Sequence, residues 1–525
     1  MSQRNRVSVL IALLALLGFS SGAFAQSNTL VIAAERTPEG LDGDALKPGT
    51  VEVVVQAYEG LLRYGTKKGP DGNDVLDSAN IEGHYAESWV VSDNDKTVVM
   101  KLRQGIKSPF GNELTAADIE WTFAKSFAQK RTGEFLHKRL GKIESVKATG
   151  RYEVTFKLVE PSAAFFGALT HYTPGIYDTV ELKKYATAED PWALKYLENH
   201  TVGFGAYHLQ SITPGEQAVF IANPNYFLGK PAYDRVVYRA VPSAASRALI
   251  LKSGQAQWID RVPLQLVDDL RKDPKLKVAK TVHRATQAAI MNPNFKPFDD
   301  VRVRQAMNYA IDKDSINKSV FLGEGIPAAS PITPQVDGAL SGPAAYPYDV
   351  AKAKELLAAA GYPNGIDVEL LYSDLNVWEE AFAIQMANQY KAANIRVTPK
   401  KITASEMRSR GAVSKRDMPF FTSENGPVVL DMMYALYIVA RSDGVTNRGA
   451  YKSAEMDRLV DEAGRTLDRA KRNDLTRQAQ ELWNKDAPWV MTVFQPFYEV
   501  FPKTVCGYIY YPDETERWRD LKPCR

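Results

Sequence analysis

The sequence is poor in cysteine and histidine. Of 525 residues, two are Cys, at 506 and 524, and six are His, at 84, 137, 171, 200, 208 and 283. No two His share an H-x-x-x-H frame and no C-x-x-C occurs, so the usual signatures of zinc enzymes are missing. The G-x-x-x-x-G-K-[ST] phosphate loop is also absent, and Gly203-Phe204-Gly205 is a bare G-x-G, far short of a dinucleotide fingerprint. These absences argue for neither a metal nor a cofactor. Charge of one sign is lacking too: 65 Lys and Arg stand against 62 Asp and Glu, a net charge of +3. That small excess does not point to nucleic acid, though it is compatible with an anionic small ligand. Beyond the N-terminus no apolar run reaches the roughly 20 residues needed to span a bilayer.

What is present begins with a leader. Arg4 and Arg6 precede an apolar run over 7–17, and Ala23-Phe24-Ala25 is a small-x-small cleavage signal. Residues 1–25 therefore read as a secretory signal peptide, which places the mature chain in the periplasm. In that oxidising compartment Cys506 and Cys524 are expected to pair and staple the tail. The length allows two to four domains.

The periodicity alternates between strand and helix. Residues 29–34, 97–102 and 152–158 read as strands, and 51–62 as a helix with Val54, Val55, Tyr58, Leu61 and Leu62 on one face. Thr115 to Asp118 forms a capping-box start. Asp349 is an N-cap for a helix stopped by Gly361 and Pro363. Strands at 366–372 and 395–399 flank a helix at 376–393, and a further apolar face runs through Leu475, Ala479, Leu482 and Trp483. Short links between these elements indicate an α/β layer. Aromatics at 172, 204, 295, 420, 421 and 451 fall beside Gly, Pro and Asn in expected loops, where they either line a cleft or simply pack.

Several motifs then occur in a telling order. YEGLL lies at 58–62, LRQGIK at 102–107, VGFGAY at 202–207 and PNYF at 224–227. NPNFKPFDD at 292–300 leads into VRVRQAMNYAID at 301–312, followed by KELLAAAGY at 354–362 and DAPW at 486–489. Together they resemble the solute-binding proteins of the oligopeptide, dipeptide and nickel ABC importers, bacterial solute-binding protein family 5, over essentially the whole mature chain.

The resemblance implies an α/β fold of two lobes, a type II periplasmic binding protein with an additional subdomain in lobe one and two crossing strands between the lobes. Lobe one is expected over 26–283, lobe two over 284–492, and a return to lobe one over 493–525. A solute is enclosed by hinge closure and delivered to an inner-membrane ABC permease with its ATPase; the protein is expected to be a monomer and not an enzyme. By motif position the resemblance implies ligand contacts at the loop 36–46, at Phe204, at Met291 and Asn292, and in FFTSENGP, which begins with Phe420 and Phe421. In peptide binders an Asp in that last loop holds the ligand's ammonium. Here Gly426 precedes Pro427, and Glu424 or Asn425 is the available substitute. Phe204 and Ala206 likewise replace the family's usual Thr and Pro. Arg36, Arg284, Arg408 and Arg441 are anchors for an anionic ligand or else solvated surface residues. Four readings follow: a peptide or peptide-like solute; a non-peptide anion such as an opine, a sugar phosphate or a metal chelate; from another class, an exported hydrolase, for which no nucleophile–base pair is evident; and a sensory module that delivers its ligand to a chemoreceptor.

Overall fold

The computed structural model describes residues 28–524, apart from 46, 48, 70, 71, 73, 375 and 512. The expected leader at 1–25 lies outside the described residues. The chain forms two α/β lobes. The first is built on a five-stranded sheet in the order Trp258–Ile259, Thr29–Ala34, Arg235–Ala240, Gln217–Ala222, Tyr207–Thr213. Thr29–Ala34 runs parallel to both of its neighbours. Attached to this lobe is a four-stranded antiparallel sheet from Ala86–Ser92, Thr97–Leu102, Glu153–Leu158 and Ile143–Gly150, packed against the helix Ala116–Gln129. That helix starts with the capping box read from the sequence: the Thr115 N–H donates to Asp118 Oδ2 at 2.8 Å.

The second lobe centres on a six-stranded sheet in the order Ile326–Pro327, Trp489–Pro502, Leu276–Met291, Phe420–Asn425, Ile366–Ser373, Ile395–Ile402. Two of these strands are long enough to belong to both lobes. Leu276–Met291 and Trp489–Pro502 pair antiparallel, with a break in register between Val282 and Thr286. On one side of the break Ala279 and Phe501 pack into the first lobe's core with Leu30 and Trp258. On the other, Met291 and Val493 pack with Phe298, Met307 and Phe382, and Phe494 joins a core with Trp483. One continuous ladder thus serves two cores.

Residues 51–62 are helical only over Val51–Ala57. Tyr58 is extended, and the Leu62 N–H donates to Leu169 O at 3.0 Å, pulling the chain into a new strand, Leu62–Lys68. The apolar residues beyond Ala57 are buried by this tertiary contact, not by helical spacing. Residues 420–425 form a strand rather than the expected loop. It carries buried residues on both faces, the pattern of a central strand without alternation. The tail after Pro502 returns to the first lobe, burying Val505, Trp518 and Leu521 in its core, and Cys506 is bonded to Cys524.

The lobes touch. Helix Met432–Ala440 of the second lobe packs Met433, Leu436 and Val439 against Leu136, Leu140 and Ala168 of the first. The rings of Phe135 and Tyr437 meet across this seam at 5.9 Å, and the Ala163 N–H donates to Gly464 O at 2.9 Å.

Candidate solute site

Where the crossing strands leave the break in register, Thr286 and Gln287 pair with Asn425 and Glu424. Burial anchors the latter strand from both sides. Phe420 lies in the core with Met291 and Val490, and Phe421 lies in the core with Ile290 and Leu436. The strand therefore presents its final residues at a fixed place, beside Arg284. Arg284, Glu379, Met407, Glu424, Asn425 and Arg448 border a cavity of about 210 Å³ here.

Its four charged groups are held differently. Arg284 donates to Gly426 O at 3.3 Å and sits 3.4 Å from Glu514 of the tail. Burial works against the Arg284 charge, but Glu514 and Glu424 outweigh it and raise its pKa. Glu379 accepts from Thr422 Oγ1 at 2.6 Å, from the Ser373 N–H at 2.9 Å and from Asn376 Nδ2 at 2.8 Å. Burial nonetheless raises its pKa above the ordinary carboxylate value. Among the described residues Arg448 hydrogen-bonds only to Ser423 Oγ, at 3.4 Å, and burial lowers its pKa despite the nearby Glu424 and Glu379. To the Glu424 carboxylate no described residue donates a hydrogen bond, and Asn425 Oδ1 is buried without a donor. Asn425 Oδ1, a buried acceptor without a donor, costs about 1–3 kcal/mol, while the half-buried Glu424 carboxylate opens onto the cavity.

The next residues along, Val428 and Val429, border a larger cavity of about 570 Å³ between the lobes and the tail. Its main charges answer one another. Glu59 accepts from Tyr226 OH at 2.9 Å, lies 3.0 Å from His84 Nε2 and is paired with Arg519. Burial opposes the Glu59 charge, yet Arg519 and His84 prevail and hold its pKa down to about 2. Asp513 pairs with Arg517, and Tyr511 OH donates to Asp520 at 2.7 Å. The smaller cavity, where the side chains of Arg284, Glu424 and Arg448 converge, is the candidate site. Among the described residues no group of three or more His, Cys, Asp or Glu could hold a metal ion, and no helix is long and apolar enough to cross a membrane.

A family model, the bacterial extracellular solute-binding proteins, family 5 Middle, matches residues 80–447. The chain belongs to that family. Among curated family 5 proteins it is similar to the glutathione-binding protein GsiB of Escherichia coli O6:K15:H31, 28% identical over 506 residues, covering 94% of each chain. It is also similar to heme-binding protein A of Haemophilus influenzae, 26% identical over 510 residues, covering 93% of this chain and 90% of that one. Its fold matches the ABC transporter-associated periplasmic binding protein DppA of Helicobacter pylori in complex with peptide STSA. There the TM-score is 0.80 at 22% identity, covering 95% of this chain and 98% of the other. The protein is thus a solute-binding protein of ABC importers, two-lobed like its relatives, which are binding proteins.

Of the residues singled out in the sequence, this family 5 structure brings Arg284, Glu424 and Asn425 together at the cavity. Phe204 is buried in the first lobe's core with Phe123 and Phe156. Gly203 beside it lets the chain approach helix Val51–Ala57, since a Cβ there would lie 2.1 Å from Ala57 O. Met291, Phe420 and Phe421 are core residues. Asn292 is buried, its Nδ2 donating to Arg416 O at 2.9 Å and its Oδ1 accepting from the Asn294 N–H at 3.0 Å. Arg36 is half exposed and paired with Glu35, and Arg441 is held by Asp443 and Asp461. Arg408 is exposed. None of these borders either cavity. In the loop 36–46, Asp42 binds Lys125 at 2.8 Å and Asp44 accepts from the Gly133 N–H at 2.7 Å, so its acids serve the first lobe's interior. Arg448 and Glu379 were not singled out; no local motif marks an Arg or Glu whose role depends on packing across three elements.

Proposed function

We propose that this protein captures a small peptide-like zwitterion in the hinge-side cavity and passes it to an inner-membrane ABC permease with its ATPase. It acts in the periplasm after export, as a monomer, and without turning its ligand over. Glu424 takes the solute's ammonium and Arg448 its carboxylate; the observation that carries this is the Glu424 carboxylate left without a donor beside an almost unpartnered Arg448. The lobe limits we adopt are 26–283 and 284–492, with 493–525 as the returning tail and the hinge at the break between Val282 and Thr286.

The anion reading draws on Arg284 and Arg448 facing one cavity. Glu379 and Glu424 face it as well, two acids against two bases, which favours a balanced solute over an opine, sugar phosphate or chelate carrying several negative charges. A thermal-shift panel separates the two. Dipeptides and other small peptide-like zwitterions are expected to raise the melting temperature in proportion to the logarithm of their concentration. Glu424→Gln is expected to weaken that binding at least about tenfold, the scale of one charge-assisted hydrogen bond. Stabilisation by anionic non-peptides alone would move the assignment to the second reading.

A further inference from the structure

Glu514 belongs to no motif, lines neither cavity and yet holds three parts of the molecule together. It lies in the tail, between Cys506 and Cys524, in a segment anchored to the first lobe by the buried Trp518 and by Ile509–Tyr510 pairing with Asp74–Gly83. Its Oε1 accepts from the Arg284 N–H at 3.2 Å, at the break in register of the crossing strand. Its Oε2 lies 3.2 Å from His283 Nε2 and 3.4 Å from Arg284 Nε. Arg284 in turn donates to Gly426 O, in the second lobe, and borders the solute cavity. A continuous polar chain therefore runs from the first lobe's tail through the hinge to the loop that shapes the site.

Two further features show that this contact is specific. Glu514 has φ = +57°, the left-handed region that a side chain with Cβ occupies at a cost. The surrounding contacts outweigh that cost. The carboxylate is also largely buried, with 13% of the side chain exposed, and although burial opposes its charge, His283 and Arg284 hold its pKa down to about 2. Removing it would take from His283 and Arg284 the carboxylate that both contact, leaving Glu424 as the other acid near Arg284.

We propose that Glu514 is a positioning residue for solute capture: it fixes Arg284 at the hinge and, through Arg284 and Gly426, favours the closed arrangement of the lobes. The inference builds on the hinge-side site proposed above, but its test uses no solute. Val90 and Val377 are 66% and 77% exposed, one on each lobe, and both native cysteines are in the disulfide. Val90→Cys and Val377→Cys therefore accept spin labels, and the distance between them reports closure. The protein is stripped of bound solute by non-reducing denaturation and refolding.

Wild type is expected to show a closed population whose ratio to the open one falls about tenfold in Glu514→Gln, the scale of a lost charged hydrogen bond. Arg284→Lys is expected to cause a similar fall, and the double variant no more than either alone, because both act through one chain. A distance distribution unchanged by Glu514→Gln overturns the proposal. So does a double variant whose effect is the sum of the two single ones. A purely structural role would lower the melting temperature without shifting the ratio. Failure of the peptide panel would change the solute and leave this result standing.

Discussion

At position 426 the chain has room for a hydrogen atom and nothing larger. A Cβ there would stand 2.2 Å from Arg284 O and 2.5 Å from Ala285 Cα, both backbone atoms that have no rotamer to yield. The Asp that peptide binders carry before this Pro is therefore incompatible with the close approach of the crossing strand, and the nearest free carboxylate belongs to Glu424. Restoring the usual residue should harm the protein. Gly426→Asp is expected to lose about 1–3 kcal/mol in urea unfolding, the range for overpacking. It should also abolish solute-dependent thermal shifts, since Arg284 loses its seat on Gly426 O. Wild-type stability in that variant would mean that the two strands can separate at no cost. The absence of Asp at 426 is plain from the sequence; why it is absent needs the neighbour 142 residues away.

At the scale of elements, those defined by local signals are the ones the sequence makes legible. Asp349 caps its helix, accepting from the Lys352 N–H at 2.8 Å, because an Asx cap and a Gly-Pro stop need no distant partner. The strand Thr97–Leu102 is read from its alternation. The strand Phe420–Asn425 is not, because burial on both faces erases the alternation, and the end of the first helix is misread because Leu62 pairs with Leu169. The tail is an element held by covalent means. Its disulfide spans 18 residues, and by loop-closure entropy it contributes about 3 kcal/mol. Reduction, or Cys506→Ser with Cys524→Ser, is expected to lower the unfolding free energy by about that amount. A midpoint unmoved in denaturant would show that Val505, Trp518 and Leu521 hold the tail unaided.

For the whole molecule, buried acids pull stability in opposite directions with pH. Glu59 and Glu514 are held down to about 2 by Arg519 and His84, and by His283 and Arg284, against the effect of burial. Their contribution is complete above the unfolded value of 4.5 and is lost as pH falls toward 2. Glu499 and Glu516 are the reverse case. Burial, then neighbouring acids, raises both well above 4.5. The native state keeps protons that the unfolded chain releases, so their contribution shrinks as pH rises above 4.5. Chemical denaturation across this range is expected to show a maximum in mildly acid solution and a decline on both sides. A steady rise in stability from pH 5 to 8 would contradict the protonated state of Glu499 and Glu516. The fold's two-core ladder makes these terms matter: Glu499 lies on the crossing strand and Glu514 beside it.

The family, the α/β alternation, the capped helices and the pairing of the two cysteines are legible along the chain. Each of these rests on local pattern, on motifs in fixed order or on having a single possible partner. The chain also shows Gly426 before Pro427, where the resemblance leads one to expect an Asp. The packed fold is needed to see that Phe204, Met291, Phe420 and Phe421 lie inside the cores, that Arg448 and Glu379 face the cavity with Glu424, and that Glu514 reaches the crossing strand at Arg284. Those outcomes depend on which surfaces meet when distant strands pair, and no spacing along the chain encodes that directly.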